Sequence, residues 1–138
     1  MMSSDRLHAL EGKLTVAFSQ RGLVPAMKYS FGPLHNEIIT ESAIVAQFLC
    51  DTKPSHLLSA SNSSTEAALF RARLNFFVDT WNTKIGSYMF SMFRAESNEE
   101  KEAKSKEWVA AVKREIEPLL NTANPFFGGS NDLTLAEV

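Results

Sequence analysis

Apolar and polar positions follow two different rhythms along this chain. Up to about residue 50, short strand-like runs alternate with helical spacing; beyond about residue 63 the helical period alone persists. Leu7, Leu10, Leu14 and Phe18 fall at helical spacing, so a helix is expected there, although Leu14 to Phe18 would also pass for a strand and Gly12 weakens a helix. The run Gly22-Leu23-Val24-Pro25-Ala26-Met27 reads as a strand. A hairpin later, Ile38-Ile39-Thr40 gives way at Glu41-Ser42 to a helical pattern. Residues 51–63 break all periodicity, with Pro54 and the Ser59-Ala60-Ser61-Asn62-Ser63 cluster, and predict a linker.

After the linker, Ser63 and Glu66 have capping-box spacing, because a serine oxygen and a glutamate three residues on can each satisfy a free N–H at a helix start. Leu74, Phe77, Trp81, Ile85, Tyr88 or Met89, and Met92 then trace an apolar stripe, which predicts one long helix bent near Gly86. Ser97 and Glu100 start a second helix. Its solvated face carries Glu100/Lys104 and Glu102/Lys106 pairs, and its buried face carries Trp108, Val112, Ile116 and Leu119. Pro118 should kink or end it, since proline lacks the N–H and clashes with the preceding turn. Two antiparallel helices are expected. Thr134 and Glu137 form a further box, with Leu133 and Val138 spaced for a hydrophobic staple, so another helix should begin one turn before the last residue.

Two features carry candidate chemistry. A proline cannot donate to a ladder, so Val24-Pro25 leaves free backbone groups at a strand edge where an extended ligand could pair. Glu41-Ser42 stands where N–H groups and the positive end of a helix dipole point outward, a good place for a carboxylate. Together they read as a site for a small peptide. Taken singly, Val-Pro is more often an edge strand or turn, and Glu-Ser an ordinary capped helix start.

The order of these elements resembles the glutathione S-transferases, and most closely their omega-like and fungal members. Val24-Pro25 resembles the valine and cis-proline that open a strand of their thioredoxin-like domain, and Glu41-Ser42 their Glu/Gln-Ser helix start. A second likeness covers Asn124-Pro125-Phe126-Phe127-Gly128-Gly129-Ser130 and Leu133-Thr134-Leu135-Ala136-Glu137-Val138, similar to a "P-F-F-x-G, then L-T/S-x-A-D" passage in their helical domain. Glu137 replaces the usual aspartate, and either carboxylate can cap.

The resemblance implies an incomplete thioredoxin-like α/β half (1–54), a linker (55–63) and an incomplete all-α half (64–138). It also implies that Val24 exchanges backbone hydrogen bonds with the cysteinyl unit of glutathione beside cis Pro25. Glu41 and Ser42 would hold the γ-glutamyl end, and Lys13 would meet the glycyl carboxylate. Glutathione is the implied co-substrate, a small electrophile the other, and conjugation or thiol transfer, as in detoxification, the reaction. The family's first strand carries a Cys, Ser or Tyr at the sulfur. No segment matches it, so the catalytic residue is unassigned and little activity is expected of this chain. A homodimer is implied. The alternative is a non-catalytic module in which the same fold mediates protein association.

The remaining composition changes this picture little. At 138 residues there is room for one domain or parts of two. A net charge of −2 with mixed signs argues against a nucleic-acid partner. No apolar run approaches about 18 residues and no signal-like leader is visible, so a cytosolic protein without a membrane partner is expected. Cys50, the single cysteine, forbids an intrachain disulfide and, late in its helix beside Asp51, reads as inert packing. His8, His35 and His56 are scattered and no metal-ligand spacing occurs, so no metal is expected. The Trp81, Tyr88, Phe90, Met92 and Phe93 group would wall the electrophile pocket of the family, but at helical spacing it reads first as core.

Overall fold

A computed structural model describes residues 25–53, 55–60 and 62–138. The chain divides into two compact units between Lys53 and Pro54.

In the first unit, β1 (Ala26–Phe31) and β2 (Leu34–Thr40) form an antiparallel pair, followed directly by α1 (Ser42–Thr52). The turn between the strands needs Gly32 at φ 58°, which a glycine adopts without a Cβ penalty. The register runs from Ala26↔Thr40 at the open end to Phe31↔Leu34 at the turn, with an irregularity between Tyr29 and Phe31. There Asn36 takes φ 59° and its N–H donates to Ser30 Oγ at 2.9 Å. α1 packs on the hairpin. Ala26, Met27 and Val45 are buried, and the Tyr29 and Phe48 rings meet edge to face with centroids 4.8 Å apart.

The second unit is helical: α2 (Thr65–Thr80), a π-helical turn (Trp81–Ile85), α3 (Gly86–Arg94) and α4 (Asn98–Glu115). The expected bend near Gly86 is this π turn just before it. A π turn spends extra residues per revolution, so the buried face slips from the expected stripe. Leu74, Phe77, Thr80 and Ile85 are buried, while Trp81 is 40% exposed. Thr80 can occupy the core because its hydroxyl donates to the Phe76 carbonyl at 2.7 Å.

Ser64, not Ser63, caps α2, its oxygen accepting from Ala67 N–H at 3.1 Å. Ser63 instead donates its hydroxyl to the Ala60 carbonyl at 2.8 Å. Glu66 therefore sits one position too early to complete a box. α4 begins as expected at Ser97, whose oxygen accepts from Glu100 N–H at 3.1 Å. The Glu100 carboxylate reaches back to Glu96 N–H at 3.1 Å, so Lys104 pairs forward with Glu107 at 3.1 Å rather than back with Glu100. Lys106 and Glu102 do pair, at 2.8 Å. Ile116 caps the end of α4, and Pro118 lies in the 3-10 turn Glu117–Leu120 that follows. α4 folds back on α3 and the π turn, enclosing Ile85, Ala95, Ala111 and Ile116.

Residues 124–138 close the unit. The Asn124-Pro125 bond is cis, and Phe127 is buried against the Phe77 ring, 5.0 Å between centroids. The helix expected to begin at Thr134 does not form and only half of its box does: Glu137 Oε2 accepts from both the Thr134 N–H and its hydroxyl, each at 2.8 Å, while the Thr134 oxygen accepts from Ala136 N–H at 3.1 Å within a turn. The other Glu137 oxygen accepts from Phe127 N–H at 2.8 Å. The staple does not close, since Leu133 is 47% and Val138 83% exposed. Among the described residues no helix is long and apolar enough to cross a membrane.

Candidate functional site

The hairpin register brings Pro25 and the Glu41-Ser42 helix start to one end of the ladder. Ala26 pairs with Thr40, so Pro25, which precedes the first, and Glu41, which follows the second, flank the same end of the ladder. Directly opposite residues in an antiparallel pair stand about 4.5–5.5 Å apart between Cα atoms. Residues 16 positions apart in sequence, 41 − 25, are thus neighbours at the open end of the hairpin. Pro25 is half-buried there; Glu41 and Ser42 are exposed.

The start of α1 differs from those of α2 and α4. At α2 and α4 a serine oxygen caps the first turn. At α1 the capping position belongs to Glu41, whose side chain makes no cap bond, and the first turn holds no acidic residue. Ser42 is the first helical residue, where its hydroxyl is past the capping position. An ordinary capped start would use one of these side chains. Glu41 also has φ 72° and ψ 122°, a backbone region that costs a non-glycine residue roughly 1–3 kcal/mol. The result is an uncapped, electropositive helix end, with a carboxylate and a hydroxyl exposed beside it. Such an end can bind an anion through N–H groups while Glu41 faces a cation.

Replacing Glu41 by glycine should therefore raise the stability of the first unit by about 1 kcal/mol, by removing the strain at φ 72°. Thermal unfolding of both chains would register the difference, and a destabilised variant would show that the conformation is not strained.

Val24 and Lys13, the other candidate site residues, and with them the geometry of the Val24-Pro25 bond, lie outside the described residues, as does His8. Cys50 is half-buried in the last turn of α1. His35 on β2 and His56 in a turn are both exposed. No group of three or more His, Cys, Asp or Glu suited to a metal occurs among the described residues.

The aromatic group on the helices is not core, contrary to the reading from spacing. Trp81 is 40%, Phe90 61% and Phe93 79% exposed, with only Tyr88 and Met92 half-buried. Phe90 borders an open cleft of about 470 Å³ between α3 and α4, with Ser87, Ser91, Arg94, Glu100 and Lys104. Helical spacing alone could not reveal this exposure, because the π turn rotates α3 relative to the face that α2 buries.

No family model and no curated protein matches this sequence. Among solved structures, the chain is similar to the crystal structure of glutathione transferase Omega 3C from Trametes versicolor, with a TM-score of 0.63 and 18% sequence identity. The match covers 88% of this chain and 47% of that one, so the chain spans about half the length of the solved structure it matches. At that identity the likeness is one of fold. The chain has a glutathione-transferase-like fold, with a two-stranded sheet among the described residues of the first unit and helices in both.

Proposed function

We propose that this chain binds glutathione at the start of α1. The ligand's γ-glutamyl end carries an ammonium and a carboxylate; Glu41 would pair with the first, and Ser42 with the exposed N–H groups of α1 would hold the second. Val24 would pair through its backbone with the cysteinyl unit beside Pro25, as strand addition does in peptide recognition. Lys13 would meet the glycyl carboxylate. The observation that carries this reading is Glu41 itself, a strained non-glycine residue at a helix start that neither it nor Ser42 caps. Strain of that kind persists where a site requires it. The glutathione-transferase-like fold gives the same reading independent support.

Beyond binding, the proposed chemistry is transfer of the glutathione thiolate to a small electrophile or thiol exchange, with no catalytic residue assigned. A second reading, a module for protein association or homodimerisation, is favoured by the exposure of Phe90 and Phe93 on one short helix. Sedimentation should then show reversible self-association that Phe93→Ser weakens. A monomer at all concentrations would oppose it.

Calorimetric titration of the chain with glutathione tests the main reading. Ser42→Ala should weaken binding about tenfold, the loss of one hydrogen bond to a charged group. Cysteinylglycine, which lacks the γ-glutamyl end, should bind still less well. If it binds as tightly as glutathione, or if Ser42→Ala changes nothing with the fold intact, the α1 start is not the site.

A further inference from the structure

The second unit contains a cleft of about 500 Å³ between α2 and the chain segment that follows α4. That volume lies in the range of small-molecule sites, which bury apolar ligand surface against aromatic walls and orient it with a few polar groups. Phe70, Phe76 and Phe127 supply the walls, and Arg73, Asn121 and Thr122 the polar groups. No acidic residue lines it. Arg73 is exposed and has no ion pair or hydrogen bond with any described residue.

The walls are held in place rather than assembled by a ligand. The Phe70 and Phe127 rings meet edge to face at 6.1 Å and 65°, and Phe127 is anchored in the core against Phe77. Gly128 lies under the Phe70 ring, where a Cβ would come within 2.7 Å of Cε2. Phe76, by contrast, leaves 60% of its surface to solvent, three positions along α2 from Arg73. Side chains three apart on a helix are neighbours. An unpaired guanidinium therefore stands beside an uncovered phenyl ring at the mouth of an apolar cleft.

The cleft bordered by Phe90 does not offer the same combination. It too holds an arginine, Arg94, beside its one phenyl ring, but Glu100 puts a carboxylate in the wall that opposes an anion, and its Lys104 is already paired with Glu107.

We propose that the cleft beside Arg73 binds a small aryl carboxylate, its ring against Phe70 and Phe76 and its carboxylate on the Arg73 guanidinium. A guanidinium fork matches a carboxylate in a way that an ammonium does not. Asn121 and Thr122 add hydrogen-bonding capacity along the opposite side. The site uses the second unit alone and does not depend on glutathione binding.

Titrations of the chain with 2-naphthoate and with the neutral 2-naphthylmethanol, followed by calorimetry and amide chemical shifts, test the assignment. The acid should bind at least about fivefold more tightly than the alcohol, and shift the amides of Arg73, Asn121 and Gly128. Arg73→Gln should abolish that preference and Arg73→Lys restore only part of it, with Arg94→Gln without effect. Arg73 is exposed, so these variants should keep the wild-type circular dichroism spectrum. Equal affinity for acid and alcohol, shifts confined to other residues, undiminished preference in Arg73→Gln, or no binding of either compound would each overturn the proposal.

Discussion

Replacing Glu137 by alanine should destabilise the closing segment of the second unit by about 3 kcal/mol. One carboxylate there accepts three hydrogen bonds, from the N–H groups of Phe127 and Thr134 and from the Thr134 hydroxyl, each at 2.8 Å. Thr134 is 2% exposed and Phe127 5%, so water cannot freely replace the lost acceptor. A buried donor left unsatisfied costs about 1–3 kcal/mol. The three losses are not additive, because residues 130–138 can lift away and rehydrate together. Amide exchange at Phe127 and Thr134 should therefore accelerate more than exchange in α4. Urea unfolding followed by tryptophan fluorescence reports on this unit, since Trp81 and Trp108 both belong to it. Unchanged exchange at both amides would show that the carboxylate is not the clasp.

The same carboxylate sets a pH dependence. Burial pushes its pKa up, but the hydrogen bonds from Phe127 and Thr134 outweigh that and hold it below the usual glutamate range. The folded form thus binds the proton less readily than the unfolded form. The stabilisation is fully present above the unfolded value of about 4.3 and is lost as pH falls through the lower folded value. Glu137→Gln should flatten the acid limb of the stability profile. An acid limb identical to wild type would assign the lability elsewhere.

Helix starts and ends were legible in the sequence where the chemistry is local. Ser97 with Glu100 and the break before Pro118 each depend on residues within one turn, and spacing reports them directly, whereas Thr134 and Glu137 meet as their spacing says but in a turn rather than a helix. The Glu41-Ser42 helix start was legible too, but its strained, uncapped geometry was not. A positive φ at glutamate has no sequence signal, and the local preference would be a capped start. Trp81 departs from the expected stripe for a different reason. A stripe counted at 3.6 residues assumes an unbroken α-helix, and the π turn at Trp81–Ile85 changes the count. Thr80 then enters the core in place of a tryptophan, which no apolar pattern would suggest. Two adjacent serines precede the helix, and capping-box spacing favours Ser63, the one matched to Glu66. Ser63 is engaged by the preceding turn through Ala60, which leaves Ser64 to cap. The cleft beside Arg73 was invisible in the sequence, since α2 and residues 118–128 meet only through the fold.

Replacing Gly128 by alanine should cost about 2–3 kcal/mol, from two separable causes. Gly128 has φ 65° and ψ 17°, a left-handed conformation that costs an L-residue about 1–2 kcal/mol. In addition, the new methyl would lie 2.7 Å from Phe70 Cε2 and 3.2 Å from Cδ2, well inside contact distance. Phe70 is half-buried and its ring can swing, but only by giving up the edge-to-face contact with Phe127. Overpacking of this kind costs about 1–3 kcal/mol, and the mobile ring places it at the low end. Gly129 provides the control, because it has φ 79° and its nearest neighbour for a Cβ is the Thr122 carbonyl at 3.4 Å. Gly129→Ala should therefore show little beyond the conformational cost. A double-mutant cycle separates the two causes: in a Phe70→Leu background the cost of Gly128→Ala should fall to about 1 kcal/mol. If the cost is the same in both backgrounds, the ring and the glycine do not touch, and the wall of the cleft beside Arg73 is not held in the way its geometry indicates.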